Sequence, residues 1–198
     1  MFHFPIPPRP PIYPKPPPWV WASGVFSDQE IDAVNALAEK LPAKQVRVGA
    51  DLQYRPETNR SLTRWLQPSA ETAWIYQKIT TAIAMLNASH YRFEISGMDE
   101  PLYHVTYLSD DQGHYAWHAD LGHETEATRK LSITFQMSNG TDYEGGDLEM
   151  NATGRPEKLP RERGKLILFP SYQLHRVTPV TRGKRCALVA WIGGPPFR

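Results

Sequence analysis

The sequence predicts a mostly β protein with two N-terminal helices flanking an antiparallel sandwich or barrel. Three observations carry that expectation. From Tyr91 onward, apolar residues recur with period two in short runs. Turn-forming Gly, Pro, Ser and Asp residues separate these runs at close spacing, as in sandwiches and barrels. Helical periodicity is confined to two segments before residue 88.

Length and composition fit that class. A chain of 198 residues suits one domain and buries enough surface for a sizeable core. The 22 basic and 21 acidic residues leave a net charge of +1, which disfavours a general attraction to nucleic acid or anionic lipid. Cys186 is the sole cysteine, which excludes an intramolecular disulfide and suits a reducing compartment. No signal-peptide pattern follows Met1, and no run approaches the ~18 apolar residues of a membrane span. The expectation is a cytoplasmic protein without membrane contact.

Residues 1–18 hold nine of the 19 prolines. Proline fixes φ and lacks an N–H, so this stretch is expected to be a polyproline arm preceding a single domain over 19–198. Trp19 to Ala22 reads as a short strand. Ser27 and Glu30 form a capping-box pattern ahead of the stripe Ile31, Val34, Leu37, Ala38 and Leu41, and Pro42 stops this helix. Val46 and Val48 suggest an edge strand, and the polar stretch Arg47–Asn59 is a candidate lid. Ser61–Leu66 alternates as a strand, and Pro68-Ser69 opens a second helix running to about Asn87, with Trp74, Ile75, Ile79, Ile83 and Leu86 on its buried face. Period two then marks strands at Tyr91–Ile95, Leu102–Leu108, His114–Asp120, Leu131–Ser138, Asp147–Met150, Lys165–Phe169, Gln173–Val177 and Cys186–Ile192.

Within the strands, His118-Ala119-Asp120 offers an imidazole and a carboxylate at i and i+2, on one face of an extended chain. His175 is the best third ligand, and two histidines with one carboxylate leave open positions on an oxygen-activating Fe(II). Taken singly, each residue has a plainer reading: a surface pair for His118 and Asp120, a core or loop histidine for His175, a solvated arginine for Arg185. His114 and His123 flank the triad without an i+2 carboxylate and are assigned to substrate contact or to no role.

Order and spacing change the weight of these residues. Gly113-His114-Tyr115-Ala116-Trp117-His118-Ala119-Asp120, Arg129-Lys130-Leu131-Ser132, Tyr143-Glu144-Gly145-Gly146-Asp147-Leu148, Leu168-Phe169-Pro170-Ser171 and the run His175 to Arg185 stand in one order. His175 follows His118 by 57 residues, and Arg185 follows His175 by ten. Together they resemble the 2-oxoglutarate/Fe(II)-dependent dioxygenases, in the prolyl-4-hydroxylase-like branch with its PKHD-type hydroxylases. The likeness runs over about residues 60–194, with the motifs in a core of about 91–194.

The resemblance implies a double-stranded β-helix (jelly roll, cupin-like) with the helices packed on one sheet. It implies Fe(II) on His118, Asp120 and His175, and 2-oxoglutarate held through Arg185, with Tyr107 and Gln136 as further contacts and Tyr115 beside the substrate. O2 is the oxidant, ascorbate is a candidate reductant, and succinate and CO2 are products. The implied activity is hydroxylation of an amino-acid residue, with prolyl as one candidate, in a peptide or protein. A free amino acid or natural-product intermediate is the alternative substrate. A proline-arm interaction module on an inactive barrel is the non-enzymatic one. The basic loop from Arg155 to Lys165 is interspersed with Glu157 and Glu162, which favours a solvated loop over a nucleic-acid contact.

Overall fold

A computed structural model describes residues 16–46, 55–122 and 124–197. Most of the proline arm, Val48, most of the candidate lid and His123 lie outside these described residues. In order, the elements are β1 (Val20–Ala22), α1 (Asp28–Glu39), β2 (Lys44–Gln45), β3 (Asn59–Arg60), β4 (Leu62–Leu66), α2 (Ala73–Leu86), β5 (Leu102–Leu108), β6 (His114–His118), β7 (Arg129–Gln136), β8 (Tyr143–Gly145), β9 (Leu148–Met150), β10 (Glu157–Lys158), β11 (Leu166–Pro170), β12 (His175–Val177) and β13 (Val180–Gly193).

The strands make two antiparallel sheets. The larger runs β1-β11-β7-β13-β5-β4-β2, with β8 paired to the start of β13; the smaller runs β10-β9-β12-β6-β3. Side chains from both sheets share one apolar cluster, including Val105, Ile167 and Phe169 from the larger and Leu148, Met150 and Val177 from the smaller, so the sheets face each other as in a jelly roll. The mostly β, jelly-roll expectation therefore holds.

The helices cover the opposite face of the larger sheet. On α1, Ser27 accepts from the Glu30 N–H while the Glu30 carboxylate accepts from the Ser27 N–H, a reciprocal cap that fixes the helix start. Ile31, Val34 and Ala38 of α1 and Ile75, Ile79 and Ile83 of α2 are buried against Leu102, Phe135, Leu188 and Ile192.

Three boundaries differ from the sequence reading. The second helix begins at Ala73, not at Pro68-Ser69, because the Ser69 and Thr72 hydroxyls close a turn on each other and on nearby backbone first. Tyr91–Ile95 is not a strand. A π-helical turn ends at Tyr91, Arg92 takes a left-handed conformation (φ 55°), and the Asn87 side chain occupies both the N–H and the C=O of Phe93. The period-two pattern there reflects side chains packing on the core rather than a ladder. The last strand starts at Val180, not Cys186, because β8, which is not among the strands read from sequence, gives its first residues a partner.

Candidate metal centre

Register brings the three candidate ligands together. β12 pairs with β6 so that His175 lies opposite His118. Two residues on, Asp120 is held by its N–H donating to the Ser171 carbonyl at 2.9 Å. The Asp120 carboxylate then lies 3.4 Å from His118 Nε2 and 3.6 Å from His175 Nε2. Ligand atoms of all three fall within 4.8 Å of one another.

Each ring is oriented from behind. His118 Nδ1 lies 2.9 Å from the Ala116 carbonyl and His175 Nδ1 lies 2.9 Å from the Gln173 carbonyl. A carbonyl only accepts, so Nδ1 carries the proton and Nε2 turns a lone pair to the shared centre. Burial drives the His175 pKa down to about 4, and the imidazole is neutral at physiological pH. Burial works to raise the pKa of Asp120, but His175 and His118 outweigh it and hold the carboxyl well below the usual range. Two imidazole nitrogens and an ionised carboxylate are a donor set suited to Fe(II), with positions left for other ligands.

A cavity of about 1430 Å³ opens beside the triad, lined by both sheets. At its inner end is Arg185, only 1% exposed. Gln136 Oε1 accepts from its Nη2 at 3.1 Å, and the Tyr107 ring lies 5.3 Å from the guanidinium carbon. Its Nε has no hydrogen-bond partner, and among the described residues no carboxylate lies within ion-pair distance. A dry guanidinium in that state is costly unless an anion completes it, which fits the far carboxylate of 2-oxoglutarate. Gly146 stands beside it at φ 59°, and a Cβ there would come within 3.2 Å of Arg185 Cδ. Glycine thus supplies both the turn and the room.

The remaining sequence candidates separate by position. Tyr107 lines the cavity, and burial pushes its phenol up to about 12 against the opposing pull of Arg185. Tyr115 also lines it, stacked on His118 with ring centroids 3.5 Å apart, and burial raises its pKa. Gln136 is not in the cavity wall. Its Oε1 serves Arg185 and its Nε2 donates to the Pro160 carbonyl, so it stands behind the guanidinium. His114 has its ring nitrogens at the Gln112 and Glu57 carbonyls, outside the triad.

Sequence reading missed the outer walls. Asn59, Ser61 and Thr63 are buried polar residues two apart where the chain passes from the smaller sheet to the larger. Trp65, Tyr103 and Trp191 form an aromatic run, centroids 6.0 and 5.1 Å apart. Arg129 stacks 4.0 Å over Trp191, pairs with Glu100 at 2.7 Å and donates to the Asp120 carbonyl at 3.2 Å. The signal available was the alternation of Ser61–Leu66, but it does not say what the strand faces.

Comparison with known proteins agrees with this geometry. Residues 103–193 match the model of the 2OG-Fe(II) oxygenase superfamily. A PKHD-type hydroxylase of Synechococcus sp. (strain CC9311) is 34% identical over 84 residues, covering 42% of this chain and 38% of that protein. One from Hyphomonas neptunium is 42% identical over 62 residues, 31% of this chain and 28% of the relative. The matched segment thus spans well under half the length of these curated relatives. Among solved structures, a Pseudomonas putida prolyl-4-hydroxylase superposes with a TM-score of 0.68 at 19% identity, over 89% of this chain and 92% of the other. A Trichoplax adhaerens prolyl hydroxylase, solved with a hypoxia inducible factor peptide fragment, gives 0.75 at 15% identity, over 89% and 84%. At such identities the structures speak to fold alone. No helix among the described residues is long and apolar enough to cross a membrane. Residues 103–193 thus match the 2OG-Fe(II) oxygenase superfamily, and their sequence likeness lies with the PKHD-type hydroxylases.

Proposed function

We propose that this protein is an Fe(II)- and 2-oxoglutarate-dependent dioxygenase that hydroxylates an amino-acid residue, prolyl above all, in a peptide or protein. The observation that carries the reading is the pairing of one dry, anion-seeking guanidinium with a His-Asp-His cluster in a single cavity. His118, Asp120 and His175 would hold the iron, and Arg185, backed by Gln136 and flanked by Tyr107, would hold the co-substrate. When bound, iron and 2-oxoglutarate supply the oxidising chemistry with O2, and 2-oxoglutarate leaves as succinate and CO2.

The chain's own residues do the rest. Nδ1-bound protons fix both imidazoles edge-on to the metal position. Val105, Phe169, Leu148 and Val177 line the cavity with apolar surface that keeps competing water away. The cavity exceeds the ~300–1,000 Å³ of typical small-ligand pockets, which favours a peptide over a free amino acid.

The test is anaerobic addition of Fe(II) and 2-oxoglutarate, followed by admission of air and assay of succinate. The weak visible charge-transfer band of the chelate is expected, then succinate. His118→Ala and Asp120→Ala are expected to remove both. No band with the unaltered protein sinks the proposal.

A further inference from the structure

We propose that residues 1–15 dock in cis across the cavity mouth and that a prolyl residue among them is a substrate of this chain's own site. The inference rests on the function proposed above. It gives a role to the proline-rich segment, which the metal and co-substrate sites leave unused.

The path of the chain comes first. β1 runs antiparallel to β11, with Val20 opposite Leu168 and Ala22 opposite Leu166. Followed backward, the chain heads from Leu168 toward Pro170 and Ser171. Ser171 is the residue that holds Asp120, and the register across β7 and β13 puts Trp191 and Gly193 at that same end. The segment therefore leaves the sheet at the end where the cavity opens. Pro16, Pro17 and Pro18 are half-buried, so the chain there lies against the domain. The Trp19 indole N–H is tied to Glu157 at 2.8 Å.

Reach is sufficient. β13, which carries Trp191, is three strands from β1, or ~15 Å at ~4.8 Å per strand. β4, which carries Trp65, is five strands away, or ~24 Å. Fifteen residues in polyproline geometry cover ~46 Å at ~3.1 Å each.

The mouth has the chemistry of a polyproline groove. Proline offers ring faces and carbonyl acceptors but no N–H. Trp65, 44% exposed, with Tyr103 and Trp191 beside it, supplies aromatic surface, although Lys44 lies over Trp65 and Arg129 over Trp191. The charges also match. The rim carries Asp99, Glu100 and Glu126 against Arg129 and Lys44, and Arg129 is engaged by Glu100 and Glu126. Residues 1–15 contain Arg9 and Lys15 and no acid.

The step balances. One prolyl C–H becomes C–OH with one oxygen atom of O2. The other atom enters the succinate formed as 2-oxoglutarate loses CO2.

The test uses the full chain with Fe(II), 2-oxoglutarate and air, read by mass spectrometry of its N-terminal peptides. A gain of one oxygen atom on a proline within 1–15 is expected, with a rate constant unchanged on dilution. Trp65→Ala, at a partly exposed position, should slow the modification roughly two- to tenfold. Independently of turnover, Phe4→benzoylphenylalanine should photo-crosslink within one chain to peptides containing Trp65, Tyr103 or Trp191. Succinate without oxygen in the N-terminal peptides overturns this inference alone, as does a rate that rises with protein concentration or a crosslink only between copies. Loss of the anaerobic chelate band overturns instead the reading beneath it.

Discussion

The two faces of the larger sheet are built for different ends, one packed under the helices and the other open to the cavity. On β13, Cys186, Leu188, Ala190 and Ile192 turn to the helices and join a wholly apolar cluster. Their neighbours Arg185, Val189 and Trp191 turn to the cavity. On β7 the same split sets Leu131, Ile133 and Phe135 in the apolar cluster beside buried Ser132, Thr134 and Gln136. The outer face gains stability from tight apolar packing. The inner face keeps polar groups dry and partly unpartnered, which costs stability and provides binding. Side-chain alternation lets one strand do both without either face disturbing the other.

Substitutions on the two faces should therefore separate function from stability. The largest contrast is at Arg185. Arg185→Met should cut 2-oxoglutarate affinity by at least about a hundredfold, the scale of losing a buried charge pair. The apo protein should keep or gain melting temperature, because the dry cation is gone. Titration of the chelate band and thermal denaturation check the two halves. Leu188→Ala, three residues on and facing the helices, should do the reverse. It should lower stability by ~2–5 kcal/mol in denaturant titrations, while folded molecules keep their co-substrate affinity.

A smaller effect concerns His104, buried on the helix side with Nε2 2.9 Å from Asn35 Oδ1 on α1. Burial, aided by Arg64, lowers its pKa to about 4. The unfolded chain, with an ordinary histidine pKa near ~6.5, binds the proton first as pH falls. Stability contributed by neutral His104 is thus present above ~6.5 and is lost as pH drops toward 4, by on the order of 2–3 kcal/mol. Apo His175 titrates in the same window and with the same sign. His104→Gln should accordingly flatten, without abolishing, the fall in melting temperature between pH 7 and 4. The smallest effect is at the cap. Ser27→Ala should cost about 1 kcal/mol in unfolding experiments and leave co-substrate binding untouched.

Local rules made part of this molecule legible. Ser27 and Glu30 announce a helix start because a capping box is a contact between residues three apart. Alternation located β5, β6, β7, β11 and the second half of β13 because strand periodicity is written in neighbouring residues. The same rule misled at Tyr91–Ile95, where alternate side chains reach the core from an irregular backbone fixed by Asn87. Residues 59–63 looked like an unremarkable strand start, yet they carry three buried polar side chains into the cavity wall.

The sequence by itself determined the chemical types and their order: an imidazole and a carboxylate two apart, a second imidazole, and a guanidinium that is always charged. Tertiary structure alone decided that they meet. His175 stands opposite His118 only through the register of β12 on β6, and Arg185 is dry only because β5, β7 and β8 enclose its strand. Pairing across 57 residues is settled by the summed packing of both sheets, and no window of adjacent residues holds that sum.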